Sequence, residues 1–303
     1  MGHSLWLNAH RGVVGDFDDL RAWSGVGLGQ KGSLQMMFDK WLFRLGTWLL
    51  AFLWVLPLIY AVWTAIHPAA YEANFDLLAP LTFENFIKAW EAAPFGRYFL
   101  NTFLLVTMIL ACQFFLCTLA AYAFARFRFA GKNILFMLVL IQLLVMPDIL
   151  IVENYQTIGA LGLVDTIPAI ALPYVASAFG IFLIRQTFMT IPTELEDAAK
   201  IEGAGPLQIL WKIYIPLAKP TYLAYGLVSV SHHWNNFLWP LVVTNSEETR
   251  PLTVGLSIFS TTDSGIEWSV LNAATLMTSA PLLLGFLLFQ RQFVQSFMRA
   301  GIK

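Results

Sequence analysis

The residues best equipped for chemistry in this chain lie in one short run, Ser229, Ser231, His232, His233, Trp234, Asn235 and Asn236, inside an otherwise apolar stretch. Amides, hydroxyls and imidazoles at membrane depth are costly unless paired, so they must face protein or water. With an indole face beside them they suit a hydroxyl-rich ligand. They suit bonds between helices equally well, and both readings stand. Metal chemistry does not follow: adjacent in sequence, His232 and His233 point about 100° apart on a helix and cannot grip one ion as an i,i+4 pair would. The chain contains no H-E-x-x-H and no G-x-S-x-G. It also lacks G-x-x-x-x-G-K-[ST], so it is expected neither to bind nor to hydrolyse ATP by itself. Cys112 and Cys117 share one apolar run and read as packing residues.

A second polar block, Pro192-Thr193-Glu194-Leu195-Glu196-Asp197-Ala198-Ala199-Lys200-Ile201-Glu202-Gly203-Ala204, interrupts the apolar pattern. Thr193 with Glu196 has the capping-box form, so a helix should start there. On it Leu195, Ala198 and Ala199 share one side, with Glu202 at its far end. Glu196, Asp197 and Lys200 share the other side, and Glu196 and Lys200 are correctly ordered for an i,i+4 pair. Gly203 and Gly205-Pro206 end this helix and permit a sharp turn into a second, Leu207 to Ile215, stopped by Pro216. The block predicts a helix-turn-helix knob over about residues 191–218, at a membrane surface.

The elements that must position both blocks are membrane helices. With 58% hydrophobic and 12% charged residues over 303 positions and a mean hydropathy of +0.65, the chain exceeds what a soluble core could hide. It reads as an all-α integral membrane protein, and its net charge of −1 gives no reason to expect nucleic-acid binding. Spans of roughly 20 apolar residues, enough for a core about 30 Å thick, run over Trp41–Ile66, Tyr98–Arg126, Ile134–Val152, Ile167–Ile184, Tyr222–Val243 and Val270–Phe289. Pro147, Pro173, Pro240 and Pro281 should kink them. Six spans put both termini on one side. Placing the knob and termini in the cytoplasm leaves only Lys88, Arg97 and Arg250 of the 18 Lys and Arg residues outside. The outer segments are acidic instead, with Glu72, Asp76, Glu84, Glu91, Asp165, Glu247, Glu248, Asp263 and Glu267. Residues 1–40 form a cytoplasmic extension and lead-in, ahead of a membrane domain over 41–303. No basic region followed by an apolar one opens the chain, so the first span is expected to serve as the insertion signal. Gly27-Leu28-Gly29-Gln30-Lys31-Gly32 matches G-x-G-x-x-G but has no strand before it, and reads as a flexible linker. Ser33 is placed to cap a short helix leading into the first span.

The knob resembles the cytoplasmic EAA loop of the membrane subunits of binding-protein-dependent ABC importers. The resemblance covers roughly residues 40–303: Leu81-Thr82-Phe83-Glu84-Asn85-Phe86, Arg97-Tyr98-Phe99-Leu100-Asn101-Thr102, Ala120-Ala121-Tyr122-Ala123-Phe124-Ala125-Arg126, Leu161-Gly162-Leu163, Trp234-Asn235-Asn236-Phe237-Leu238-Trp239-Pro240-Leu241, Pro251-Leu252-Thr253-Val254-Gly255-Leu256 and Phe289-Gln290-Arg291-Gln292-Phe293-Val294 all follow its pattern in order. The chain is similar to the second permease of the carbohydrate-uptake type, the maltose and glycerol-3-phosphate kind. Two departures keep the charge: the usual Glu-Ala-Ala is Asp197-Ala198-Ala199, and the usual Asp-Gly-Ala is Glu202-Gly203-Ala204. Where relatives often carry a proline after the third span, this chain has Glu153-Asn154, and their late tail glycine is Ser296.

The resemblance implies a type I ABC importer (MetI-like) permease fold in a bacterial or archaeal cytoplasmic membrane. Its implied partners are a second, homologous permease, two ATPase subunits that carry the ATP and Mg2+, and an extracytoplasmic solute-binding protein. No cofactor is expected on this chain, and it is not itself an enzyme. The solute is expected to be a sugar, polyol or glycerol-phosphate-type molecule. Glu194, Glu196, Asp197, Ala198, Ala199, Glu202, Gly203 and Ala204 would dock on the ATPase. His233, Trp234, Asn235 and Asn236, with Ser177 in the fourth span and Asp148 near the outer end of the third, are the candidate pathway residues. The alternative class, a secondary-active transporter, would be expected to show intramembrane charges and an inverted repeat. The spans carry almost no charge.

Overall fold

The computed structural model describes residues 29–72, 76, 78–260 and 266–301, with side chains described over 40–72, 76, 78–259 and 266–290. Two units divide at Tyr60/Ala61. Among the described residues every regular element is helical.

The first unit contains most of α1 (Gly29–Ala65), a 37-residue helix. Over 41–60 nearly every side chain is exposed, with Trp48 at 77% and Trp54 at 83%, which suits lipid or another subunit as its surroundings. The helix already includes Gly29–Gly32, so the linker expected there is corrected. Ser33 lies inside the first turns instead of at a cap. Once nucleated, a helix gains a bond per residue added, and this long one runs on through two glycines. Residues 1–28 of the N-terminal extension fall outside the described residues, as do Asp263 and the C-terminal Lys303.

In the second unit the organising element is α3 (Phe95–Arg126), a continuous span of 32 residues, or about 48 Å at the helical rise. Short α2 (Glu84–Ala92) precedes it. At one end of α3, Arg97 Nε and Asn101 Nδ2 donate to the Glu248 carbonyl at 3.1 and 2.7 Å. At its other end Arg126 donates to carbonyls of Phe188 and Ile191. The acidic 244–250 loop and the knob therefore occupy opposite ends of one rod.

The third and fourth spans are not straight. Lys132–Leu144 and Pro147–Ala160 meet at 91°, and Ile167–Tyr174 and Ala178–Thr190 at 50°. Their helices are α4 (Lys132–Ile141), α5 (Ile151–Ala160), α6 (Ile167–Ala171) and α7 (Ala178–Thr190). Pro147 and Pro173 supply the cause, since each removes a donor and clashes with the preceding turn. The third span, expected over 134–152, is thereby corrected to a broken pair. Helix α8 (Thr193–Ile201) and a helical stretch over 206–217, with a π-helical turn at Leu210–Tyr214, build the knob. The fifth span is α9 (Lys219–Trp234), 16 residues long, followed after Asn235–Phe237 by the six-residue α10 (Leu238–Val243). A single helix over 222–243 is thus corrected too: Pro240 denies the preceding turn a donor, and the chain breaks before it. Helix α11 (Leu252–Gly255) leads to α12 (Trp268–Gly301), which runs unbroken through Pro281. Cys117 is fully buried in the apolar cluster towards the Arg126 end of α3, with Tyr122, Phe188 and Tyr214.

Candidate functional site

The two helix breaks open space beside α3 and α9. Between them lies a cavity of about 420 Å³, walled by the 142–150 break, the 173–179 break, Gln113 of α3, and Tyr225, Ser229, His232 and His233 of α9. No Asp, Glu, Lys or Arg lines it; the polar atoms are amides, hydroxyls and imidazoles.

At its centre is Gln113, only 3% exposed. Its Nε2 donates to the Tyr174 carbonyl at 2.8 Å and lies 3.2 Å from His233 Nε2. Its Oε1 accepts from Tyr225 OH at 2.8 Å and from Ser229 Oγ at 2.6 Å. A carbonyl can only accept, so Tyr174 O fixes which end of the amide is NH2. His233 Nε2 must then be the acceptor, and the ring proton sits on Nδ1. That Nδ1 is buried and finds no partner. Tyr174 also lays its ring 4.9 Å from the imidazole and accepts from Asn236 Nδ2 at 3.0 Å.

The structure brings some of the anticipated pathway residues together and separates others. His233 and Ser177 line the cavity, and Ser177 Oγ caps α7 by accepting from Gly180 N at 3.2 Å. Asn236 reaches it through Tyr174. Trp234 turns away, packing in another cluster and donating Nε1 to the Thr278 carbonyl at 3.1 Å. Asn235 is exposed and bonds back to Ser231 O of its own helix at 2.8 Å. Asp148 is exposed and not among the lining residues, although its neighbour Pro147 is. The hub, Gln113, was not anticipated. Its one signal in the sequence is a lone amide inside the apolar run Leu110-Ala111-Cys112-Gln113-Phe114-Phe115.

The knob is built differently from its amphipathic reading. Pro192 precedes α8 and no side chain caps it, so the Thr193 capping box does not form. Glu196 instead turns inward and is buried at 9% exposure, while Leu195 at 45% and Ile201 at 88% face out. The reason is a better set of partners inside. Tyr214 OH donates to Glu196 Oε2 at 2.6 Å, Lys200 Nζ lies 2.8 Å from Oε1, and Arg126 Nε lies 3.7 Å from Oε2. Burial alone would raise the Glu196 carboxyl, but the bonds from Lys200 and Tyr214 and the charges of Lys200 and Arg126 hold it below its ordinary value. Tyr214 is pushed up, by burial first and then by its bond to Glu196. Glu194, Asp197, Ala198, Glu202 and Gly203 are exposed, and Ala199 and Ala204 half-buried. Gly203 takes φ +82°, the left-handed turn that ends α8.

Comparison with known proteins places this chain. Residues 24–298 match the family described as "Binding-protein-dependent transport system inner membrane component". The chain belongs to this family. It is a membrane-spanning permease component, a non-catalytic part of a transport system. Among its relatives, the arabinooligosaccharides transport permease AraQ of Halalkalibacterium halodurans is 33% identical over 87% of this chain and 96% of its own length. The sn-glycerol-3-phosphate transport permease UgpE of Yersinia pestis is 32% identical over 80% and 91%. The permease also shares its fold with a chain of a bacterial ABC transporter that imports the acidic polysaccharide alginate. There the TM-score is 0.76 at 23% identity, covering 86% of this chain and 98% of the other.

Proposed function

We propose that this permease forms half of the translocation pathway of an ABC importer for a sugar, polyol or related glycerol-phosphate-type solute. A second, homologous permease completes the pathway, and two ATPase subunits carry the ATP and Mg2+. A binding protein delivers solute to the acidic outer loops, and the knob and both termini lie in the cytoplasm. Glu194, Asp197, Ala198, Glu202, Gly203 and the half-buried Ala199 and Ala204 form the docking surface, and Glu196 braces it from behind.

The observation that carries this reading is the outward face of α8 and the stretch after it. Leu195, Ile201, Leu207 and Trp211 are all exposed at 45% or more while the one buried polar residue of the helix points into the bundle. A knob that turns its apolar side outward on a water-facing surface is built for a protein partner. The names of AraQ and UgpE support a hydroxyl-rich solute, as do the amides, hydroxyls and Tyr174 ring of the cavity wall. Ser177, His233 and, through Tyr174, Asn236 would meet it.

Gly203→Asp tests the docking role. A Cβ at Gly203 meets nothing within 4 Å, so the penalty comes from φ +82° for an L residue, about 1–2 kcal/mol, and from a new charge at the docking face. Uptake by the full importer should collapse while the assembly still forms and hydrolyses ATP. Normal uptake at normal expression would overturn the reading.

A further inference from the structure

The Glu196 cluster does more than seat α8. Arg126 is the last residue of α3. Its Nη2 donates to the carbonyls of Phe188, at 2.8 Å, and Ile191, which lie at the end of α7. The same guanidinium faces Glu196 of α8 and sits 5.0 Å over the ring of Tyr214. Tyr214 packs in turn on Tyr122 of α3 and Phe188 of α7, each at 5.2 Å between centroids. One planar cation thus ties together the ends of α3 and α7, helix α8 and the 206–217 stretch of the knob, with both charged side chains about 11% exposed. Helices α3 and α7 also share the most extensive packing in the fold. Thirteen residues along the same rod from Arg126, about 20 Å at the helical rise, stands Gln113, which holds Tyr174 and His233 at the cavity.

We propose that Arg126 is the positioning residue through which α8 moves the cavity. A displacement of α8 is delivered through Glu196 and Arg126 to α3 and α7 as one body, and α3 carries it to the Gln113–His233–Tyr174 cluster. Without this tie α8 would reach α3 only at second hand, through the chain joining it to α7 at Ile191-Pro192 and through the stretch after it. The inference rests on the docking role given to α8 above. An arginine suits the task because Nη2 of its flat fork donates to two carbonyls at once, while its Nε, which makes no hydrogen bond of its own, faces the carboxylate at 3.7 Å as an ion pair.

The test uses the complete importer with its binding protein, in lipid, and reads solute imported per ATP hydrolysed beside melting of the assembly. Arg126→Gln and Glu196→Gln should each lower that ratio on the order of tenfold, within the range usual for coupling between sites. ATPase subunits should still co-purify. The Arg126→Gln/Glu196→Gln double variant should be no worse than the poorer single one, because both break one link; independent roles would multiply to about a hundredfold. Arg126→Lys and Tyr214→Phe guard against a failure to assemble. Each keeps part of the cluster and should lower the ratio in proportion, with melting near wild type. A normal ratio in both milder variants, or multiplicative losses in the double variant, overturns the proposal. If Gly203→Asp imports normally, the docking reading itself has failed. If Gly203→Asp uncouples and the Arg126 variants do not, only the link through α3 has.

Discussion

Replacing Gln113 by leucine changes little in volume and removes an amide that makes four polar contacts: to Tyr174 O, His233 Nε2, Tyr225 OH and Ser229 Oγ. Polar contacts between membrane helices average about 0.6 kcal/mol each, and soluble ones about 1 kcal/mol. Four of them give roughly 2–4 kcal/mol, because the tyrosine and serine hydroxyls can turn elsewhere while the carbonyl and imidazole cannot. Gln113→Glu should be worse, since it sets a carboxylate oxygen against the Tyr174 carbonyl in a site with no cation among its lining residues. Melting of the purified assembly in lipid nanodiscs, with uptake on the same preparations, measures both. The expected order of stability is wild type, then Leu, then Glu, with uptake falling in the same order. If Gln113 merely filled space, leucine would be neutral or stabilising in so apolar a setting. A leucine variant that melts with wild type would refute the hub.

Gly180→Ala should be as damaging by another route: its Cβ would stand 2.6 Å from the Tyr225 ring, and overpacking of this kind costs about 1–3 kcal/mol. Tyr225→Phe combined with it should recover little, since the ring carbons also clash. The loops around Asp165 and over 244–249 should loosen in acid. Asp165 is held down to about 2 from 3.8: burial works against this, but Thr249, Asn245 N and Ser246 N all donate to it. A depressed carboxylate contributes stability above its unfolded value and loses it as pH falls through the folded one. Hydrogen exchange over residues 163–166 and 244–249 should therefore quicken between roughly pH 4 and pH 2, and Asp165→Ala should abolish that dependence. Finally, cysteines placed at Lys200 and at Glu248 should label from opposite faces of sealed vesicles. Labelling from one face would reject the proposed topology.

The spans were legible because hydrophobicity is a local property: twenty apolar residues commit a segment to the bilayer whatever surrounds it. Prolines at 147, 173 and 240 marked the places where helices break, and Gly203 the turn that ends α8. These depend on the backbone of one residue and its neighbours. The chain alone likewise established that it carries no phosphate loop and that its polar groups gather in two blocks.

Direction was decided only in three dimensions. Periodicity put Glu196 on the wet side of α8, as it would be on an isolated helix, yet Arg126 and Tyr214 draw it inward from elements distant in sequence. The block on α9 shows the same limit. His233, Trp234 and Asn235 look alike in their apolar setting, but one faces the cavity, one packs against Thr278 of α12, and one bonds back to its own helix. How sharply the third and fourth spans bend, and the cavity those bends open, likewise depended on how α3 and α9 pack against them. Sequence fixes which groups must find partners; which partner each one finds is set by helix packing, because the costs of burial and of unpaired polar atoms are settled among side chains that only the fold brings within reach.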